Sequence, residues 1–389
     1  MVSRVDLGLG WCLLSTDDLS ARNMPEIPPD ILHAIVGELD ADTREDRGTL
    51  RSLLSTSKQI NAYALRPFYR GIYFFEVHYN RRFLQKLSTL ARDAEHNPGL
   101  RFTTAFLCTV LGGAASVVVP WGEIYRHLKT ILHSLPNLGR TTISFQSVST
   151  DVRILQSLPP SAPLTHLNLA ECSMSREHLL QVLQCRPGLQ WLDMYIPGQT
   201  QMAHDPEFPA DVLPHLTYLS VAYSDVGLFK DPLRSLVSFT PHTWKTVLEN
   251  AGTIRGLMAP FASITACHLP TVNSANVVPI VTCFPCLEYL WVQPIIGSGN
   301  VDYTALSATR LKYLRCMVYQ DIPSFYGRRI LDAINTLVVV DVSLFPFDTL
   351  RVCRSDEWPV HYPPEQWSRW WEHAQHAVQS AISNTAVLE

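Results

Sequence analysis

Two pairs of metal-ligating side chains occur at spacings that zinc sites use. The first is Cys283-x-x-Cys286 and the second is His373-x-x-His376. A structural zinc ion takes four protein ligands, so each pair needs a second pair at a suitable distance in the sequence. Neither has one. We therefore interpret the histidine pair as the exposed side of a helix, and the sequence predicts no metal site and no cofactor.

Motifs that bind phosphate or carry a catalytic nucleophile are absent from the sequence. It contains no P-loop, no Gly-x-Gly-x-x-Gly loop, no Gly-x-Ser-x-Gly elbow and no His-Glu-x-x-His helix. Gly297-Ser298-Gly299 lacks the flanking glycines of an elbow, and Leu111-Gly112-Gly113 has no cation nearby to hold a phosphate. We therefore expect a protein that is not an enzyme. The alternative is a hydrolase assembled from distant residues, which a buried His beside a Ser or a carboxylate would reveal.

The composition excludes two classes of partner. Of 389 residues, 47% are hydrophobic and only 17% are charged, whereas an average soluble domain has about 25% charged residues. The net charge of −4 and the pI of about 6.4 provide no basic surface for nucleic acid or for an anionic membrane. No apolar run approaches the ~20 residues of a membrane-spanning helix. We expect other proteins as partners.

The cysteines and the first residues bear on the compartment. Nine cysteines are scattered without a repeated spacing, and no Asn-x-Ser/Thr glycosylation acceptor occurs. Residues 1–23 contain a short apolar stretch that Asp6 interrupts, with no small-residue cleavage site before Asp17. We interpret this segment as a flexible leader rather than a signal peptide. The sequence predicts reduced thiols in an intracellular protein, cytoplasmic or nuclear.

The larger part of the chain repeats a short strand pattern, Leu-x-x-Leu-x-Leu or close to it. Successive copies are 23 to 27 residues apart, except for a gap of 71 residues between Leu216 and Leu287. That gap fits three irregular repeats, with weak strands expected near residues 254–258 and 264–268. The copies begin at Leu138, Leu164, Leu189, Leu216, Leu287, Leu311 and Ile334. Such periods are typical of leucine-rich repeats, in which each repeat adds one strand to a curved parallel sheet and returns through a helix or loop.

Between the leucines, the strands carry rings with polar tips. Because side chains alternate along a strand, the leucines point into the core and the intervening residues point to the concave face. Tyr, Trp and Arg are enriched at binding hot spots, so this face is a candidate groove for a target protein or peptide. A ladder of rings that stack only for packing is the alternative. The candidate target-binding residues are Trp191, Tyr195, Tyr218, Tyr289, Trp291, Tyr313 and Arg315.

Before the repeats, residues 24–75 have the pattern of three short helices. Prolines at residues 28 and 29 favour the first turn of a helix with two apolar stripes. A charged loop at residues 40–48 precedes a second helix that Thr49 would cap, and a third helix is predicted at residues 62–69. A unit of about 45 residues buries little surface by itself. Either it caps the repeats, or a partner protein covers one of its faces.

The motifs of this segment resemble an F-box. They read Ile27-Pro28-x-x-Ile31-Leu32-x-x-Ile35-x-x-x-Leu39, then Leu50-x-x-Leu53-x-x-x-Ser57-Lys58, then Arg66-Pro67-Phe68-Tyr69. The segment departs from the family's pattern at Ile27, where Leu is usual, at Thr56, where Val is usual, and in its longer loop at residues 40–48.

The resemblance implies a partner for the exposed helix faces, because F-boxes dock on the Skp adaptor subunit of cullin–RING ubiquitin ligases. The residues that it nominates for this contact are Ile27, Pro28, Ile31, Leu32, Ile35, Leu39, Leu50 and Leu53.

The predicted fold class is α/β. The chain is predicted to comprise five segments. They are a leader at residues 1–23, a three-helix F-box-like domain at 24–75, an N-terminal cap with the first irregular repeats at 76–137, a leucine-rich-repeat solenoid at 138–345 and a C-terminal cap at 346–389. A stripe at helical spacing in the last segment predicts a capping helix, with a separate partner-binding helix as the alternative. The stripe comprises Trp367, Trp370, Trp371, Ala374 and Val378.

In overall layout the chain resembles fungal F-box proteins with leucine-rich repeats. The resemblance implies the substrate-recognition subunit of an SCF-type ubiquitin ligase, which holds a target beside a ubiquitin-charged enzyme. A repeat scaffold without a role in ubiquitin ligation, whose N-terminal helices only cap the solenoid, is the alternative. Low charge and partner-dependent apolar faces also predict that the chain alone is poorly soluble.

Overall fold

The structure of the protein is a computed structural model, and its described residues fall into two compact units, one ending at Cys185 and the other beginning at Arg186. The predictions for Ile27, Tyr195, Trp367 and residues 1–23 and 254–258 lie outside the described residues. The structure describes residues 28–39, 44–56, 58–76, 79–110, 119–145, 150–170, 172–173, 176–194, 209, 212–222, 236–242, 263–272, 274–294, 301, 303–318, 323–344, 348–354, 360–362 and 370–388.

The first unit begins with the three helices that the sequence predicts. They are α1 (Pro29–Gly37), α2 (Arg44–Leu54) and α3 (Lys58–Tyr69). Helix α2 starts within the segment expected to be a charged loop, so the prediction that Thr49 caps it is wrong. An acidic residue in the first helical turn is favourable beside the positive end of the helix dipole, and Asp46 lies there. Helix α3 likewise begins four residues earlier than predicted.

The sheet of the first unit is parallel and starts before the predicted solenoid. Its strands are β1 (Gly71–Glu76), β2 (Ala105–Val110), β3 (Arg140–Phe145) and β5 (His166–Ala170), and they pair in this order. Strands β4 (Thr150–Asp151) and β6 (Cys172–Ser173) form a small separate pair. The helices between the strands are α4 (Arg81–Asp93) and α5 (Trp121–His133), and α6 (Arg176–Gln184) follows the last strand.

The register shows why the first repeats escape a search for leucines. Phe106 and Cys108 of β2 align through β3 with Leu167 and Leu169 of β5. Phenylalanine and cysteine therefore fill the positions that leucine occupies in later repeats. The repeat register begins at β1, earlier than the predicted start of the solenoid at residue 138.

The second unit continues the one-strand-per-repeat architecture. Strands β7 (Trp191–Met194), β8 (Tyr218–Ala222), β9 (Ser238–His242), β10 (Ala266–Val272), β11 (Tyr289–Pro294), β12 (Tyr313–Val318) and β13 (Val339–Leu344) pair in parallel in chain order. Strands β14 (Asp348–Cys353) and β15 (Val360–Tyr362) follow in antiparallel pairing. The helices are α7 (Ser274–Val281), α8 (Pro323–Ala333) and α9 (Trp370–Leu388).

Two details of this sheet differ from the sequence prediction. Strand β9 was not expected, because its five residues include a single large apolar side chain, Phe239, and a proline, Pro241. The last repeat begins at Leu337 rather than Ile334, since Leu314 aligns with Val340. The predicted weak strand at residues 264–268 overlaps β10.

The core lies on the side of the sheet that the repeated leucines face. Leu192, Leu219, Leu290 and Leu314 are all completely buried. This confirms the predicted α/β architecture with leucine-rich-repeat strands. No helix in the described ranges is both long enough and apolar enough to cross a membrane.

Candidate protein-interaction surfaces

Helix α1 divides its apolar residues between an inner and an outer face. Leu32 and Val36 are 8% and 3% exposed, and Val36 packs in a small core with Leu50 and Ala64. Leu39 and Leu53 lie half-buried against the same core. Because the three short helices bury a core of their own, Leu32 and Leu50, which the sequence nominated for the adaptor contact, are buried in this structure.

The outer face of α1 carries two large apolar side chains. Ile31 and Ile35, one helical turn apart, are 48% and 55% exposed, and Pro28 before them is also exposed. Side chains at this spacing lie on one face of a helix. The pair therefore forms a continuous apolar stripe on the surface of the first unit.

The helices are anchored to the first strand of the sheet. The Arg47 guanidinium lies 5.4 Å from the Phe68 ring centroid and donates a hydrogen bond of 3.4 Å to the Gly71 carbonyl. Thr103 donates to the Tyr69 carbonyl at 2.9 Å, and Asn97 donates to the Tyr69 hydroxyl at 3.0 Å. These bonds attach the helical segment to the first repeats within one compact unit.

A cleft that the sequence did not predict opens beside α3. Its volume is about 470 Å³. Apolar side chains and two arginines line it together, a combination that no sequence pattern predicted because its residues come from separate elements. The lining residues are Val36, Ala62, Tyr63, Arg66, Pro67, Arg70, Phe102 and Thr104.

The rings of the second unit form a ladder on one side of its sheet, which we call the ring face. Trp191 stacks on Tyr218 at a centroid distance of 3.6 Å, and His268 stacks on Trp291 at 3.9 Å. The Arg315 guanidinium lies 4.9 Å from the Trp291 ring centroid. The ring face comprises Trp191, Tyr218, His268, Tyr289, Trp291, Tyr313 and Arg315.

Helix α9 covers the ring face. It packs on β11, β12 and β13, and four of its small residues share one buried cluster with the rings. Those residues are Ala374, Ala377, Val378 and Ala381. The helix lies on a face of the sheet, whereas the sequence predicted a cap at the end of the solenoid.

Helix α9 therefore covers the face for which the sequence left both a target groove and a packing ladder open. Trp291 and Tyr313 are only 2% and 3% exposed, and only Trp191 is half-buried. Strand alternation correctly placed the side chains on one face, but it contains no information about a helix that arrives much later in the chain. The other candidate residues found buried are Tyr218, Tyr289 and Arg315.

Polar groups beneath α9 are paired along the sheet. Asp341 accepts a hydrogen bond of 2.6 Å from the Tyr313 hydroxyl, and it forms a salt bridge of 2.7 Å with Arg351. Arg315 donates to the hydroxyls of Ser343 and Thr349, both at 3.3 Å. These bonds connect strands β12, β13 and β14.

Burial shifts several ionisations in the second unit. Burial, together with the nearby Asp341 carboxylate, raises the pKa of Tyr313 well above its ordinary value. Burial also raises the pKa values of the Tyr303 hydroxyl and of the Cys267 and Cys316 thiols. All four groups are therefore protonated at neutral pH.

The metal-ligating pairs lie on separate elements. The Cys283 thiol donates to the Pro279 carbonyl at 3.3 Å, and Cys286 is exposed in the turn that follows. His373 and His376 are exposed on α9. Within the described ranges, no three His, Cys, Asp or Glu side chains come together as a metal site.

The similarity between this chain and known proteins is low. No protein-family model matches the chain, and no curated protein is significantly similar to it. Among solved structures, the crystal structure of a TLR13–ssRNA13 complex is similar to 62% of this chain at 13% identity, with a TM-score of 0.30. The match covers 33% of that chain, so this protein spans about a third of its length.

The class of the protein therefore follows from its own geometry. Successive parallel strands, one per repeat, place leucines or other apolar residues in register in each unit. This architecture resembles a leucine-rich-repeat solenoid.

Proposed function

We propose that the chain is the substrate-recognition subunit of an SCF-type ubiquitin ligase, and that helix α1 contacts a Skp-type adaptor. The observation that carries this proposal is the exposed stripe formed by Ile31 and Ile35. Both residues belong to the motif that resembles an F-box. Other apolar residues of the same helix turn inward, so the stripe is a surface that a partner would cover at little structural cost.

The anchoring of the helices suits this role. Arg47 and Tyr69 attach the helical segment to the first repeat strands, so an adaptor bound to α1 would hold those repeats in a defined position. The chain would perform no chemistry itself. It would raise the local concentration of a target's lysines beside an enzyme supplied by other subunits.

Co-purification with a Skp-type adaptor tests the proposal. The full chain is expected to bind the adaptor, and the double substitution Ile31→Asp with Ile35→Asp should abolish binding, because burying each isoleucine contributes about 1.5–3 kcal/mol. Ile382→Asp is the matched control, since Ile382 on α9 is similarly exposed at 47%. An adaptor that never binds, or that binds the double variant equally well, would refute the adaptor role.

A repeat scaffold without a role in ubiquitin ligation is the second candidate. It is favoured by the inward orientation of Leu32 and Leu50 and by the bonds between α3 and the first repeats, which a mere cap would also show. The scaffold predicts a folded chain that does not bind the adaptor, so the same experiment separates the two candidates.

A further inference from the structure

We propose that the cleft beside α3 binds an acidic peptide segment of a partner protein, in which a carboxylate lies next to an apolar side chain. Peptide binding there goes beyond the adaptor role proposed above and does not depend on it. Val36 of α1 lines the cleft, whereas neither Ile31 nor Ile35 does. The cleft and the proposed adaptor contact are therefore separate surfaces of the first unit.

The lining of the cleft combines positive charge with apolar surface. Arg66 belongs to α3 and Arg70 follows directly after it, and both are exposed. The other described lining residues are apolar apart from Tyr63 and Thr104, and none of them is Asp or Glu. The volume of about 470 Å³ lies within the ~300–1,000 Å³ of ligand pockets, which are mainly apolar with a few placed polar groups. An anion with an apolar part matches this lining.

The two arginines have no anionic partner within the described residues. Neither guanidinium forms a salt bridge or a hydrogen bond with that part of the chain. The segments that supply most of the lining, residues 58–75 and 96–110, contain no Asp or Glu. A third cation lies close by, since the Arg101 guanidinium is 4.8 Å from the Phe102 ring centroid. In a chain with a net charge of −4, this local excess of positive charge favours an anionic ligand.

Hydrogen bonds hold the backbone around Arg70 in place. Its carbonyl accepts from the Thr104 amide at 2.9 Å, the Ala105 amide at 3.1 Å and the Thr104 hydroxyl at 3.3 Å. The preceding carbonyl, of Tyr69, accepts from the Thr103 hydroxyl at 2.9 Å. A bound ligand would therefore order the arginine side chains but not the backbone that carries them, which lowers the entropic cost of binding.

A carboxylate suits this cleft better than a phosphate. A guanidinium presents two parallel N–H groups that match the two oxygens of a carboxylate. Beside apolar side chains, desolvation of a dianionic phosphate costs more than desolvation of a single negative charge. The apolar side chain next to the carboxylate would then lie against Pro67 and Phe102, which line the cleft.

The arginines also have a structural role that the experiment must separate from binding. Arg66 lies in the last turn of α3, where a cation is favourable beside the negative end of the helix dipole. A role confined to the helix end predicts that removal of the arginines lowers stability and leaves ligand binding unchanged.

Peptide binding to the full chain gives the first test. The probe is a short fluorescein-labelled peptide in which glutamate and leucine alternate, and fluorescence anisotropy measures its affinity. The full chain is expected to bind it, and Arg66→Gln with Arg70→Gln should weaken binding about tenfold or more, because hydrogen bonds between charged groups are lost. The matched control is Arg126→Gln with Lys129→Gln, since both residues are exposed on α5 of the same unit.

A charge placed inside the cleft gives the second test. Ala62 is exposed in the lining, one helical turn before Arg66. Ala62→Glu therefore supplies a carboxylate that pairs with this arginine, and it should weaken peptide binding several-fold. Ala34→Glu is the matched control, because Ala34 is exposed on α1 and does not line the cleft. Thermal unfolding of each variant verifies that it is folded.

Four results would overturn the proposal. The first is a full chain that does not bind the glutamate peptide. The second is equal binding by the parent chain and the double arginine variant, which would confine the arginines to the helix end. The third is equal binding of a peptide with glutamine in place of glutamate, and the fourth is tighter binding of a peptide with phosphoserine there. None of these results involves a Skp-type adaptor, so the role of Ile31 and Ile35 is decided only by adaptor binding.

Discussion

Asp341 connects three strands of the second unit through charge and hydrogen bonding. It is 2% exposed, accepts a hydrogen bond from the Tyr313 hydroxyl of β12 and forms a salt bridge with the Arg351 guanidinium of β14. Removing one partner of a buried ion pair leaves the other charge without compensation, whereas a partly exposed pair contributes little. The position of Asp341 therefore makes it a structural residue.

Substitution of Asp341 measures this contribution. Asp341→Ala is expected to lower the free energy of unfolding by about 3–5 kcal/mol, because the Arg351 side chain, only 13% exposed, loses its carboxylate partner. Glu288→Ala, which removes the partly exposed pair with Lys312, should cost less than about 1 kcal/mol. Urea denaturation of both variants checks the difference. Similar values for the two would show that Asp341 is dispensable.

The buried hydroxyl of Tyr313 predicts a loss of stability at alkaline pH. Its pKa in the folded chain is raised above the ordinary value of 10.0 by burial and by Asp341. The folded state thus holds the proton more tightly than the unfolded state. The resulting stability is fully present below pH 10 and is lost as the pH rises toward the folded pKa.

Tyr313→Phe checks this assignment. Above pH 10 the variant should lose stability with pH less steeply than the parent chain, by up to about 1.36 kcal/mol per pH unit. Denaturant unfolding at several pH values between 9 and 12 provides the measurement. Parallel curves for parent and variant would mean that Tyr313 ionises without resistance in the folded chain.

For single residues, the sequence predicted where a side chain lies in its helix or strand better than it predicted which residues that side chain contacts. It placed Ile31 and Leu32 on two stripes of one helix, and in the structure Ile31 is exposed whereas Leu32 is buried. Both are apolar and adjacent, so periodicity cannot tell which stripe meets the other helices. The helix-packing geometry of α2 and α3 decides this.

At the scale of elements, helix α8 owes its close approach to the sheet to a glycine. A Cβ at Gly327 would lie 2.8 Å from Val352 Cγ2 and 3.3 Å from Val342 Cγ2. Both valines belong to strands of the sheet, β14 and β13. The glycine therefore sets the distance between α8 and the strands beneath it.

Two glycine-to-alanine substitutions isolate this effect. Gly327→Ala is expected to destabilise the chain by about 1–3 kcal/mol through overpacking. Gly48→Ala in α2 should instead stabilise by about 0.5–1 kcal/mol, because nothing lies within 4 Å of its added methyl group. Thermal unfolding of the two variants gives the comparison. Stabilisation by both would show that α8 can move away from the sheet freely.

The strands were predictable wherever leucine marks the repeat. Those at residues 164, 189, 216, 287 and 311 were located from spacing alone. Strands β1 and β9 were missed because glycine, phenylalanine and proline replace the expected pattern there. In a sheet built from repeats, neighbouring strands impose the extended conformation on a segment whose own sequence does not predict a strand.

At the scale of the whole molecule, large apolar side chains remain at the surface of a charge-poor chain. Ile31, Ile35, Phe75 and Ile382 are each about half exposed, and charged residues make up only 17% of the sequence. Exposed apolar side chains combined with few charges promote self-association. The proposed adaptor contact would cover two of these four side chains, Ile31 and Ile35.

Solubility of the isolated chain reports on this coverage. The full chain is expected to self-associate, and Ile31→Asp with Ile35→Asp should raise its soluble, monomeric fraction several-fold because the variant removes an apolar stripe and adds two charges. Size-exclusion chromatography at matched concentrations measures the change. A parent chain that is already highly soluble and monomeric would contradict the partner-dependent interpretation.

The long-range packing was beyond prediction from sequence. The ring face and α9 were each recognised from local spacing, but Trp191 and Ala377 are far apart in the chain, and periodicity describes only neighbours. Rings with polar tips suit an open groove and a covered one equally well. Their coverage follows from small side chains on α9 that match the surface in three dimensions.

The two antiparallel strands at the end of the second unit restrict how this chain can lengthen by duplication. Strand β14 runs opposite to β13 along six paired residues, and β15 adds a short edge of three residues. A copied repeat inserted between β10 and β11 would find parallel neighbours on both sides. One inserted after β13 would have to separate β13 from β14 and break the bond between Asp341 and Arg351. Natural variation in repeat number should therefore arise inside the array and leave its last two strands intact.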